Sequence, residues 1–327
     1  MKDMHKIIVQ NRRIRYDFTL RRNITVVQGD SATGKTTLVE MIREYYENGP
    51  DSGIQLQSDK ECFVLSGRNW RNTLSIIKDS IVFIDEGSDF IFTNDFAGYI
   101  QNTDNYYVII TRESIPSLPY SVEEIYGIRN SGKYGTLKQT YNEFFHIYNL
   151  PVPYQEKLNP NIIITEDSNS GYQFFKSVSD SNNIRCDYAA GKSNIFAKTI
   201  EFEQKFADNS ILIIADGAAF GSEMAKISVL MGTHKNIYLY LPESFEWLIL
   251  KSGVIDSNEM KNILAAPYEY IESRQYFSWE RFFTALLIER TADTYLNYTK
   301  KILNPSYLNK KIAAKILKVI EHIQLNR

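Results

Sequence analysis

Cysteine and histidine are scarce in this 327-residue chain, with two cysteines (Cys62 and Cys186) and four histidines. No CxxC pair occurs, which argues against a disulfide framework and against a structural zinc site. No apolar stretch approaches the roughly 20 residues that a membrane span requires, and the N-terminal residues carry no apolar signal core. The expectation is a cytoplasmic protein with no membrane partner. An excess of charge of one sign is also missing, because 37 basic and 39 acidic residues leave a net charge of -2. Bulk attraction to nucleic acid is thereby excluded, and any such contact must be local. Internal repeats and low-complexity segments are absent too. What remains is a 43% hydrophobic chain long enough for two domains with separate cores.

Against that background one segment stands out. Gly29-Asp30-Ser31-Ala32-Thr33-Gly34-Lys35-Thr36, followed by Thr37, reads G-x-x-x-x-G-K-T. The apolar β-type run Ile24–Val27 precedes it, and Leu38, Val39, Met41 and Ile42 follow at helical spacing. Strand, glycine loop and helix form a phosphate cradle, in which backbone N–H groups and the helix N-terminus meet the anion. Lys35 is expected to reach the β- and γ-phosphates, and Thr36 to hold Mg²⁺. The expected ligands are therefore ATP and Mg²⁺. No N-K-x-D guanine-reading motif is present, so ATP is preferred to GTP.

Downstream, Ser80-Ile81-Val82-Phe83-Ile84-Asp85-Glu86 is a buried-type strand ending in two carboxylates. Paired with the cradle, Asp85 is expected at Mg²⁺, and Glu86 to orient or deprotonate the attacking water. The next apolar strand ends in Thr111-Arg112-Glu113, where Thr111 and Arg112 are candidate sensors of the γ-phosphate or, equally, a polar strand cap.

Residues 5–115 resemble a stripped ABC-type or AAA-type P-loop ATPase, on the G-D-S-A-T-G-K-T-T-L loop and the V-F-I-D-E strand. Departures accompany the resemblance. Leu65-Ser66-Gly67 is followed by Arg68-Asn69-Trp70 and not by the Gly-Gln of an ABC signature, and Thr111-Arg112 stands where a switch histidine would be.

Pro151, Pro153 and Pro160 crowd one short polar stretch, the best domain boundary in the chain. Beyond it strands and helices alternate again: strands over 162–165, 185–188, 211–215 and 237–241, helices over 172–179, 195–206 and 223–230. The expected fold class is α/β: a P-loop NTPase parallel sheet, then a second, smaller α/β domain with a C-terminal helical tail. The boundaries read as 1–150 for the ATPase domain, 151–160 for a linker, 161–272 for the second domain and 273–327 for the tail packed on it. Asn130-Ser131-Gly132-Lys133 reads as a hairpin turn within the first domain.

In the second domain Ile162–Thr165 ends in Glu166-Asp167, and Ile211–Ala215 ends in Asp216-Gly217. Adjacent parallel strands would bring Glu166 and Asp216 to one sheet edge, close enough to share Mg²⁺. Ala189-Ala190-Gly191-Lys192 supplies a glycine turn, and Glu246 a later acid at a strand-to-helix turn. Residues 160–255 resemble a TOPRIM domain, the topoisomerase–primase fold also found in OLD-family nucleases. That resemblance implies a metal site acting on nucleic acid, built from a strand-end Glu, an acidic D-x-D and a later Glu. Here Asp167 replaces a Gly, and Ala218 replaces the second Asp, which leaves three outcomes open: one bound ion, none, or Glu223 used instead.

Seven basic residues among the first 22 (Lys2, Lys6, Arg12, Arg13, Arg15, Arg21, Arg22) could follow a phosphate backbone or simply be solvated. Lys300, Lys301, Lys310, Lys311, Lys315 and Lys318 read as a solvated face of the helical tail. Two functions stay open. One is an ATPase fused to a TOPRIM-like domain in DNA processing or defence against foreign DNA. The other is a non-nucleolytic ATP-dependent switch that recruits a protein partner. The implied partners are ATP, with DNA or RNA in the first case and a protein or a second copy of the chain in the other.

Overall fold

The computed structural model describes residues 4–29, 33–130, 139–148, 157–272, 275–320 and 322–325. Asp30, Ser31 and Ala32 of the cradle, most of the 130–133 turn and the prolines at 151 and 153 lie outside them. The chain is mixed α/β and divides into two compact units, Met1–Tyr148 with Pro267–Ser278, and Asn149–Ala266 with Trp279–Arg327.

In the first unit the strands are β1 (His5–Gln10), β2 (Ile14–Leu20), β3 (Ile24–Val27), β4 (Gln55–Gln57), β5 (Cys62–Leu65), β6 (Ile81–Ile84), β7 (Tyr106–Ile110), β8 (Ile125–Asn130) and β9 (Thr140–His146). Its helices are α1 (Lys35–Asn48), α2 (Trp70–Ile76) and α3 (Asn94–Ile100). The sheet runs β4-β1-β2-β9-β8-β3-β7-β6-β5 and is mostly parallel, with β5, β6, β7, β3 and β8 all pointing one way. Strands β3, β6 and β7 are buried at every residue and, Thr25 apart, carry apolar or aromatic side chains, which is the signature of a sheet covered on both faces. Alternation divides them between two cores. Val26, Val82, Ile84 and Ile109 pack with Trp70 and Leu74 of α2 and Phe96 and Ile100 of α3. Val27, Ile81, Phe83 and Ile110 pack with Leu38, Val39, Met41 and Ile42 of α1.

The segment Pro267–Ser278 belongs to this unit, whereas the sequence reading carries the second domain to residue 272 and starts the tail at 273. The reason is packing: Phe277 is buried in the α2–α3 core, and Asn23 Nδ2 donates to its carbonyl at 2.8 Å.

The second unit holds a wholly parallel sheet, β11-β10-β12-β13, of β10 (Ile162–Thr165), β11 (Arg185–Tyr188), β12 (Ile211–Ile214) and β13 (Ile237–Tyr240). Its helices are α4 (Ser170–Asp180), α5 (Ile195–Lys205), α6 (Gly221–Thr233), α7 (Phe245–Lys251), α8 (Asn258–Ala265), α9 (Trp279–Thr291) and α10 (Lys310–Lys318). Central β10 and β12 are again buried throughout. The tail is less helical than its periodicity suggests: between α9 and α10 the chain runs irregularly to a short 3-10 turn at Pro305–Leu308. Among the described residues no helix is long and apolar enough to cross a membrane.

Candidate functional site

In the first unit three strand ends meet at the carboxyl edge of the sheet, the place where open parallel sheets bind ligands. From β3 the chain enters the glycine loop, with Gly29 at φ 130° and Gly34 at φ 92°. Lys35 opens α1 and is buried; its Nζ donates to the Gly29 carbonyl at 2.7 Å and to Thr33 Oγ1 at 3.0 Å. The lysine thus lies folded over the described part of the loop. Thr36 is exposed and Thr37 half-buried in the first turn of α1.

Gly34 is needed for two reasons. Its left-handed backbone strains any other residue, and a Cβ there would stand 2.8 Å from Tyr16 Oη and 3.3 Å from Asn142 Nδ2. Tyr16 Oη donates to the Gly34 carbonyl at 2.7 Å. Tyr16 and Asn142 face each other in the β2–β9 register, so the sheet itself holds the loop's second glycine. Asn142 is buried and its Oδ1 has no hydrogen-bond partner. Neither residue was legible as part of the site, because nothing local in the sequence marks a contact made across the sheet.

At the end of β6, Asp85 Oδ1 accepts from the Glu86 backbone N–H at 2.8 Å. At the end of β7, Thr111 N donates to the Val27 carbonyl at 3.2 Å, which fixes this loop beside the cradle strand. The Thr111 hydroxyl is buried and used locally, donating to the Glu113 carbonyl at 3.1 Å and accepting from the Glu113 N–H at 3.0 Å. Arg112 points outward instead and pairs with Glu86, Nε to Oε1 2.5 Å. Lys35, Asp85, Glu86, Thr111 and Arg112 therefore sit on three neighbouring strand ends, β3, β6 and β7.

The N-terminal basic residues are partly neutralised. Lys6 and Arg15 pair with Asp17 at 3.3 and 3.0 Å, and Arg22 pairs with Glu123 at 3.1 Å.

The second unit has a small cavity of about 40 Å³ at the carboxyl edge of its own sheet. Glu166, Asp167, Asp216 and Glu246 line it, with Tyr298 and Lys300. Parallel pairing of β10 and β12 puts Thr165 opposite Ile214, so Glu166 and Asp216 follow on adjacent strands. The Asp216 N–H faces Glu166 Oε2 at 3.5 Å. The glycine turn holds Glu166 from the other side, Gly191 N–H donating to its carbonyl at 2.8 Å. Gly217 has no room for a side chain, since a Cβ would meet the Leu241 and Pro242 carbonyls at 2.9 and 3.0 Å. Ser244 caps α7, accepting from Trp247 N–H at 3.2 Å, and so places Glu246 in its first turn. Tyr298 Oη donates to the buried Glu246 at 2.8 Å.

Burial, reinforced by the charge of Glu280, raises Glu166 to about 7. Burial and the neighbouring Glu280, Glu166 and Glu246 push Asp216 well up as well. The site is thus rich in carboxylates that resist ionising together. Glu280 stands in the first turn of α9 and pairs with Lys300. Lys300 belongs to no solvated helix face, contrary to the sequence reading; it stands in the irregular stretch after α9 and lines the acidic cavity. Among the described residues no group of three or more His, Cys, Asp or Glu side chains is arranged to hold a metal ion.

No family model, curated protein or solved structure matches the chain.

Proposed function

We propose that this chain binds and hydrolyses ATP at the edge of its nine-stranded sheet, in the manner of a P-loop ATPase of ABC or AAA type. The observation that carries the reading is the meeting of three chemically distinct strand ends: the Lys35 loop after β3, Asp85-Glu86 after β6 and Arg112 after β7. Lys35 would turn from the Gly29 carbonyl and Thr33 hydroxyl toward the phosphates. Thr36 and Asp85 would hold Mg²⁺, which neutralises phosphate charge when bound. Glu86 would accept the proton of the attacking water, and Arg112 would stabilise charge on the transferred phosphoryl group. Phosphate release from ATP by the purified chain tests the reading. Turnover by Lys35→Ala at the wild-type rate would overturn it.

For the second unit, a TOPRIM-like role in cutting nucleic acid, in DNA processing or defence, needs carboxylates free to share divalent ions. A lysine ammonium among those carboxylates favours the other role, a non-nucleolytic switch that responds to ATP and recruits a protein partner. Cleavage of supercoiled or single-stranded DNA that disappears in Asp216→Ala would restore the nuclease.

A further inference from the structure

The carboxylate cavity of the second unit is held from the C-terminal side by a single strap. Ser170 at the start of α4 donates its N–H to the Lys300 carbonyl at 2.9 Å and its hydroxyl to the Thr299 carbonyl at 2.7 Å. Gln173, one turn on, donates to the Lys301 carbonyl at 2.8 Å and accepts from Leu303 N–H at 2.9 Å. Residues 299–303 are therefore pinned by backbone bonds on both sides of Lys300, and Tyr298 is anchored on Glu246. Within this lacing the Lys300 side chain lines the cavity with Glu166, Asp216 and Glu246 and pairs with Glu280.

We propose that Lys300 is the resident cation of this cavity, its ammonium supplying from within the chain the positive charge that Glu166, Asp216 and Glu246 would otherwise take from a divalent ion. Three observations support it. With Lys300 in its wall the cavity has only about 40 Å³ of free space, room for little beyond a water-sized group. The Lys300 ammonium already pairs with the Glu280 carboxylate, which stands in the first turn of α9. No three-carboxylate cage is preformed among the described residues. The other lysine of the cluster, Lys192, is spoken for: its Nζ donates to the Ala219 carbonyl at 3.0 Å, and it does not line the cavity.

The inference does not depend on ATP binding, and its test contains no nucleotide. Mn²⁺ binding to the full chain is titrated by calorimetry in wild type, Asp216→Asn, Lys300→Met, Lys300→Arg and the Lys300→Met/Asp216→Asn double variant. Wild type and Asp216→Asn should give the same isotherm, because no Mn²⁺ uses Asp216 while Lys300 is present. Lys300→Met, which keeps most of the side chain's length and removes its charge, should gain a Mn²⁺ site at least about tenfold tighter than anything at Asp216 in wild type. The double variant should lose that site, and Lys300→Arg should not acquire it. If Lys300→Met is too unstable to titrate, its melting is followed with and without millimolar Mn²⁺, and recovery of the transition supports the proposal. Asp216-dependent Mn²⁺ binding by wild type would overturn it, as would a Lys300→Met protein that neither gains Mn²⁺ binding nor is stabilised by Mn²⁺.

Discussion

Arg112 at the end of β7 reaches over to Glu86 at the end of β6, its Nε 2.5 Å from Glu86 Oε1. Both side chains stand partly in solvent, so the pair contributes little to stability and is free to open. Its interest lies in what each partner would do for ATP. Arg112 must leave Glu86 before it can reach a phosphate, so the two roles cannot be filled while the pair is closed.

Glu86→Gln should retain ATP binding and slow hydrolysis by about 100-fold or more, because it removes the base and keeps the shape. Arg112→Ala should also keep binding within a few-fold and lower kcat by about tenfold or more, through lost transition-state charge. Phosphate release, set beside nucleotide affinity from a fluorescent analogue, separates the two quantities. Loss of binding in Glu86→Gln would remove Glu86 from the role of base.

A second expectation concerns how the cradle is held. Gly34→Ala forces a Cβ against Tyr16 Oη at a positive φ and should cost about 1–3 kcal/mol of stability. Tyr16→Phe loses the donor to the Gly34 carbonyl, worth about 1 kcal/mol. Combined, the two should cost less than their sum, since the phenylalanine has no oxygen to clash with. Strict additivity in urea unfolding would show that Tyr16 does not crowd Gly34.

Buried Glu124 makes a pH signature. Its carboxyl is raised to about 7 from the ordinary 4.5, first by burial, against the opposing pull of Arg22 and the hydroxyl of Thr25, which donates at 3.0 Å. The folded state therefore holds the proton more tightly than the unfolded chain. The favourable contribution is full below about 4.5 and is lost as pH rises to about 7, with no further change above. Glu124→Gln should abolish that slope, so its stability relative to wild type should rise by about 2–4 kcal/mol between pH 4.5 and 7.5. Parallel pH profiles of the two proteins in urea would contradict the assignment.

Tyr298→Phe should destabilise the second unit by about 2 kcal/mol, because buried Glu246 loses its donor. Chemical unfolding read on that unit checks it. An effect under about 0.5 kcal/mol would mean that Glu246 finds another donor.

The cradle pattern was legible because its parts are contiguous: strand, glycines, lysine and helix lie in one short segment, each with a local reason for its residue type. The apolar runs of β6, β7, β10 and β12 were legible because a strand buried on both faces is apolar at nearly every position. Adjacency of Glu166 and Asp216 followed from alternation of strands and helices, which favours neighbouring parallel strands.

What local pattern could not supply was contact between distant segments. Tyr16 and Asn142 reach Gly34 only through the pairing of β2 with β9. Phe277 joins the first unit's core although nearly all the intervening chain from residue 149 belongs to the second. Lys300 looks like one more solvated lysine in a basic tail, and becomes the counter-charge of an acidic cavity only because Ser170 and Gln173 bind the backbone around it. The sequence alone determined most of the strands, where the glycine loop begins and which carboxylates end the buried strands, because those follow from periodicity and backbone sterics over a few residues. Tertiary structure decided which charges face one another, because that depends on hydrogen bonds between segments more than a hundred residues apart.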